Sequence, residues 1–376
     1  SKTTNRNFYW RSGTNYKLTD KSNLLFNYNL NLGNDRFINK GKTTGSAISL
    51  ENDGVSKDKN YVHELSLQYK TKLDTLGRTF DLTMYSNFFG RNPTTEARSL
   101  ENNTYTYNNS NADFKLANYY AKFDFAFPFE KLDFSVNTGG KYNVTKVTDF
   151  GRYNFDSADS SIFDSDAYAS SINFDYMENN VAFYAEARKK YKKFNFTAGL
   201  RFEDFRVKRD ASTIADEIKY NNTNLFPTAG VLYELTKDIN LNASYSKKIA
   251  QPGYFTIDPN NSTFFNRYNT SEGNVALKPV FFDLYELKLT AFQYVQLGAN
   301  YVVNKDKNEF VYTAEPDELV SNRTFASFDK MKTMTTYVSF PIPLDYFFKS
   351  KDEFQKRMNA IETMNYIFLN ITYIKS

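Results

Sequence analysis

Residues 226–249 read FPTAGVLYELTKDINLNASYSKKI, and the architecture can be worked outward from them. Ala229, Val231, Tyr233 and Leu235 alternate with Gly230, Leu232 and Glu234, and the break TKD comes next. Ile239, Leu241, Ala243 and Tyr245 then alternate with Asn240, Asn242, Ser244 and Ser246. Two period-2 runs joined by a tight polar turn predict an antiparallel hairpin. Behind it comes AQPGYFTIDPNNSTFFNRYNTSEGNVALKP, a long polar loop over residues 250–279, and then another alternating run. Strand, tight turn, strand and long loop together predict a transmembrane antiparallel up-and-down β-barrel, all-β in class.

The unit recurs along the chain. Leu24, Phe26, Tyr28, Leu30 and Leu32 alternate with Asn27, Asn29 and Asn31, apolar toward lipid and amide-bearing toward a wet lumen. Leu65, Leu67, Tyr69 and Leu73 share a face, with Phe80, Leu82, Met84 and Phe88 outward on the next strand. LANYYAKFDFAF, LDFSVNTGGKYNVT, LYELKLTA and VQLGANYVV obey the same rule, with Gly139 and Gly140 at a bend or a close approach. Long loops are expected after Leu32, after Phe88 to about Asn111, and around DSADSSIFDSD. Short turns at Thr19–Ser22, Asp74–Gly77, Pro128–Lys131 and Thr236–Asp238 are expected on one rim, inside the cell envelope, with the long loops outside. Ser350 and Glu353 form a capping-box pattern that predicts a short periplasmic helix over about 350–362. The count is about fourteen strands, in one β domain covering 1–376, expected to be part of a larger barrel.

Composition agrees with this reading. Mean hydropathy of −0.61 excludes a helical membrane protein, whereas a barrel strand shows lipid only every second side chain. The aromatic excess, Tyr 29 and Phe 36 in 376 residues, suits interfacial girdles. Cysteine is absent and His63 is the only histidine, so thiol chemistry and ordinary zinc sites are excluded. A net charge of +4, evenly spread, gives no reason to expect nucleic acid as a partner. The opening SKTTNRNFYWRSG lacks the apolar core of a signal peptide, so a processed chain or a segment of a longer one is expected.

The motifs around this hairpin carry a resemblance. SYSKKIAQPGY resembles the TonB-dependent-receptor segment in which a basic, apolar pair and a proline end a rising strand. GNVALKP resembles their Gly-Asn-Pro-x-Leu-Lys-Pro motif, with Val275 in place of proline and Val280 in place of the glutamate that usually comes next. NVAFYAEARKKYKKFNFTAGLRFEDF is similar to a hairpin of the outer-membrane β-barrel family of Bacteroidetes. The resemblance spans roughly Tyr61 to Leu289 and implies import of a ligand across the outer membrane, by a protein complete with a plug and a TonB-box peptide. Plug, TonB box, further strands and the terminal aromatic are expected to be missing here. Implied partners are outer-membrane lipid, the TonB system through such a plug, and other outer-membrane or surface lipoprotein subunits. The other function class is a structural or scaffolding barrel subunit of a larger outer-membrane complex.

Candidate sites are few, and each has a plainer reading. Phe264, Phe265 and Tyr268 could grip a ligand or partner, or pack within the loop. Gln251, Pro252, Gly253, Gly273, Asn274, Leu277, Lys278 and Pro279 read as structural: proline ends ladder donation and glycine permits the turn. Asp156, Asp159, Asp164 and Asp166 could offer oxygens to calcium, but the spacing matches no known loop and a solvated acidic loop is simpler. Glu186, Arg188, Arg201 and Glu203 could line a substrate path or form a cross-strand charge ladder. His63 lacks partners for a metal. No catalytic residues, no cofactor and no metal are expected.

Overall fold

A computed structural model describes residues 1–44, 49–163, 168–260, 269–292, 295–314, 321–353 and 366–375. The strands are β1 Lys2–Thr19, β2 Ser22–Thr44, β3 Ser49–Lys72, β4 Thr79–Glu101, β5 Thr104–Phe129, β6 Phe134–Ser157, β7 Ser170–Tyr191, β8 Phe194–Ala211, β9 Ile218–Glu234 and β10 Ile239–Ala250. The short helix α1 Tyr254–Ile257 precedes β11 Asn269–Ser271, β12 Val280–Ala291, β13 Val295–Ala314, β14 Ser321–Pro343, helix α2 Asp345–Phe348 and β15 Tyr366–Lys375. Fourteen of these strands are long and form one antiparallel up-and-down sheet in chain order. The three-residue β11 joins it in parallel along β14. Among the described residues β1 pairs only with β2, and β15 only with β14.

The register puts the two kinds of side chain on opposite faces. Phe26, Leu67, Met84, Ala121 and Tyr142 are cross-strand partners in one row, so they share a face. Met84 is 49% exposed and Tyr142 50%, as a lipid-facing band requires. One residue along, Asn27, Ser66, Tyr85, Tyr120 and Asn143 form the inner row. Polar groups there bond to each other: Asn29 Nδ2 donates to Glu64 at 3.1 Å, Tyr85 Oη donates to Glu64 at 2.9 Å, and Asn118 Nδ2 donates to Thr145 at 2.7 Å. His63 belongs to the outer face, opposite Leu30 and Phe88. Its Nδ1 lies 2.8 Å from the Tyr28 hydroxyl, and Trp10 meets the Tyr28 ring edge-on, so the histidine sits within an aromatic girdle.

Two of the expected long loops are strand instead. Residues 33–44 and 49–60 pair without a break, Gly33 with Asn60 through to Thr44 with Ser49. β4 and β5 pair up to Glu101 and Thr104, closed by the two-residue turn Asn102–Asn103 with both φ angles positive. β2 through β7 therefore run 22 to 26 residues each, where crossing the membrane takes about 9–11. The surplus stands above the bilayer on one rim. Both faces are wet there, so period-2 contrast fades while backbone pairing continues. Gly139 and Gly140 mark a close approach: a Cβ on Gly139 would meet the Phe123 carbonyl and the Tyr184 ring. At the other rim, residues 351–353 are helical and Glu353 N–H donates to Ser350 Oγ at 3.3 Å, while the rest of the expected helix lies outside the described residues.

Candidate functional site

The sheet curls so that inner-face residues from β4 to β12 line one cavity of about 900 Å³. Its walls carry Asp81, Lys122, Asp124, Lys141, Glu178 and Arg201 among others. Glu186, Arg188, Arg201 and Glu203 all face inward, but they pair along their own strands rather than across them. Arg188 meets Glu186 at 2.8 Å, and Arg201 meets Glu203 at 3.6 Å. Arg201 also lies over the Phe226 ring, 5.0 Å from its centre.

Residues 251–260 and 269–279, between β10 and β12, lie above this cavity and cross the concave face. Ile257, Val275 and Leu277 leave the loop and pack on Val147, Phe174, Phe205, Val207, Ala211 and Phe325. The core of the molecule therefore lies between this crossbar and the inner faces of β6, β7, β8 and β14. Arg209 on β8, 2% exposed, donates from one Nη to the carbonyls of Val275 at 2.8 Å and Leu277 at 2.5 Å. Two charge-assisted bonds from one buried guanidinium clamp the motif to the wall. Val275, standing where the resembled family has proline, is buried in this core.

The other motif residues support the crossbar. Asn274 Nδ2 donates to the Phe325 carbonyl at 2.9 Å, and its Oδ1 accepts the Ala276 N–H at 2.9 Å. Pro252 and Pro279 are buried, and Lys278 Nζ lies 3.9 Å from Asp306. The Gln251 side-chain oxygen and nitrogen are buried and find no hydrogen-bond partner among the described residues. Gly273 does not serve a left-handed turn; Gly77 is the one described glycine with positive φ. A Cβ on Gly273 would instead meet Asp258 O at 2.4 Å and Asp258 N at 2.7 Å, so close backbone approach is its reason. Gly253 has open space around its missing side chain. Phe264, Phe265 and Tyr268 lie outside the described residues, as do Asp164 and Asp166. Asp156 stands near the end of β6. Asp159 is taken up locally: its carboxylate accepts the Ser161 N–H at 2.9 Å and hydroxyl at 2.7 Å, which holds it below the usual range.

Asp149 on β6 and Asp258 in the crossbar, neither conspicuous in the sequence, meet in the core. Their carboxyl groups are within hydrogen-bonding reach, at 7% and 4% exposure. Burial first, and then the adjacent Asp149 carboxylate, pushes the Asp258 carboxyl up to about 8. Asn260 completes the contact, donating to the Asp149 carbonyl at 3.3 Å and accepting from the Tyr153 hydroxyl at 2.8 Å.

A wide antiparallel wall with an apolar outside, a charged inside and a crossbar in the lumen is the geometry. The sequence pattern of the outer membrane protein beta-barrel family matches residues 71–372. The chain belongs to that family. It is accordingly a multi-pass protein of the outer membrane. Solved structures of TonB-dependent-receptor type share the fold. The copper transporter OprC aligns at 12% identity with a TM-score of 0.53, over 91% of this chain and 59% of OprC. The ferric citrate transporter FecA, unliganded, aligns at 12% identity and 0.51, over 92% of this chain and 55% of FecA. The ferripyoverdine receptor of the outer membrane of Pseudomonas aeruginosa aligns at 11% identity and 0.51, over 90% and 52%. The chain thus spans between half and six-tenths of these receptors. No curated protein matches it in sequence. At such identities the family likeness is one of fold, and these neighbours are named as transporters and receptors.

Proposed function

We propose that this chain forms the wall of an outer-membrane importer of a ligand, working with a plug and with energy from the TonB system. The observation that carries the proposal is the crossbar formed by residues 251–260 and 269–279. It is clamped by Arg209 over a charged cavity of about 900 Å³, which suits capture of a ligand at the outer rim and passage along a wet wall. Binding and passage, not catalysis, are the roles this arrangement serves. The test compares a deletion strain and a TonB-deficient strain for depletion of solutes from defined medium. Import predicts that the same solute remains undepleted in both strains.

A second reading, a structural or scaffolding barrel subunit of a larger outer-membrane complex, rests on the sheet edges. Among the described residues β1 and β15 each pair on one side, and an unpaired edge in lipid would call for a partner strand. Outer-membrane lipid would cover the apolar face, and outer-membrane or surface lipoprotein subunits would meet the rims. Loss of neighbouring surface proteins in the deletion strain, with solute depletion unchanged, would favour this reading.

A further inference from the structure

Above the membrane level a second cavity, of about 510 Å³, opens on the inner face beside the crossbar. Its charged groups are mostly acidic, four aspartates against Lys57 and Arg91. Asp35 and Asp58 are direct cross-strand partners, a placement in which like charges repel. Arg91 relieves one oxygen of Asp58, at 2.9 Å, and is the cation among the inner-face residues that line the space. Asp35 Oδ1 and Asp58 Oδ1 are buried and receive no hydrogen bond among the described residues.

Asp149, 7% exposed, adds a third such oxygen on the far wall. Among the described residues no N–H or hydroxyl reaches its Oδ1; the carboxylate otherwise meets the Asp258 carboxyl and the Asn260 side chain and is attracted by Arg91. Two buried carboxyls in contact need one positive charge between them, a proton or a cation. Aromatic rings form much of the remaining lining, Phe37, Phe89, Phe114, Tyr153, Tyr254 and Phe255, beside small residues such as Ser56, Ser110 and Ala112. Among the described residues no three acidic or histidine side chains converge closely enough to hold a metal ion. Spread carboxylates, aromatic faces and room for a small molecule suit a cation with an apolar body.

We infer that this vestibule binds an organic cation, an ammonium or guanidinium group on an apolar body, with Asp35, Asp58 and Asp149 as its counter-charges. The inference rests on the importer reading only for the fate of the captured ligand; binding itself is independent of transport. The probe is phenethylammonium, set against its neutral analogue 2-phenylethanol, titrated calorimetrically into the full chain folded in detergent micelles. The charged probe should bind at least tenfold tighter than the alcohol. Asp35→Asn with Asp58→Asn should weaken it at least tenfold, and Asp149→Asn likewise, with unchanged circular dichroism showing that the sheet is intact. Equal affinity for probe and alcohol, indifference to all three substitutions, or binding of calcium alone would overturn the inference. Tight binding of the cation without solute import in cells would sustain it while removing the importer reading.

Discussion

Leu67 and Asn29 illustrate the alternation on which the fold depends. Leu67 lies mid-row on the outer face between Phe26 and Met84, while Asn29 faces inward and bonds to Glu64. Leu67→Arg should cost about 2–4 kcal/mol of folding into lipid vesicles, and Asn29→Arg should cost far less, because a wet lumen solvates the charge. Equal losses would mean that the faces are reversed. Gly273→Ala forces a methyl into the Asp258 backbone and should destabilise the crossbar by about 1–3 kcal/mol, while Gly253→Ala should be neutral. Proteolysis within residues 251–279 reads the difference. Asp258 ties the crossbar to pH. Its carboxyl keeps its proton to about 8 when docked, against about 3.9 when undocked, so docking is unpenalised below pH 4. As pH rises from 4 to 8 only the undocked form ionises, and docking weakens until both forms are ionised. The thermal midpoint should therefore be lower at pH 8 than at pH 5, with a flatter slope in Asp258→Asn; identical slopes would remove Asp258 as the cause.

At the scale of elements, the crossbar depends on the Arg209 clamp. Arg209→Met strands two buried carbonyls and should release residues 269–279 to protease, leaving the barrel strands protected. Hydrogen exchange resolved by segment would show it, and equal protection of loop and strands in the variant would contradict it. The sequence holds a sign of this contact in β8. Its lower half puts Phe196, Leu200 and Phe202 outward, but its upper half puts Phe205 and Val207 on the inner face, against Arg206 and Lys208 outside. That change of hydrophobic phase marks where the wall stops facing lipid and starts facing the crossbar. β7 does the same with Phe174 and Tyr176. Taken as uniform strands, these segments hide the core; their change of phase discloses it. The upper hairpins stayed illegible for the opposite reason, since two wet faces erase alternation and leave turn residues such as Asn102 and Asn103 as the remaining mark.

For the whole molecule, strand number, order and outer face were legible because lipid on one side and water on the other impose a single strong period. The acidic vestibule was not, because Asp35, Asp58, Asp149 and Asp258 come from three strands and a loop and meet only through register. Sidedness can be read from the turns. A cysteine at Asn102 should react with an impermeant maleimide on intact cells, and one at Lys192, on the short-turn rim, should react only after the outer membrane is opened. The reverse pattern would invert the topology. Both sidedness and import require that the wall stand in the membrane with one face in lipid and the other in water. Spin labels placed singly at each residue from Tyr61 to Thr71 measure this through their access to oxygen and to a water-soluble nickel complex. Strict alternation is expected, with odd positions such as Leu65, Leu67 and Tyr69 favouring oxygen and even positions such as Glu64, Ser66 and Gln68 favouring nickel; absent alternation, or the opposite phase, would refute the placement of the wall.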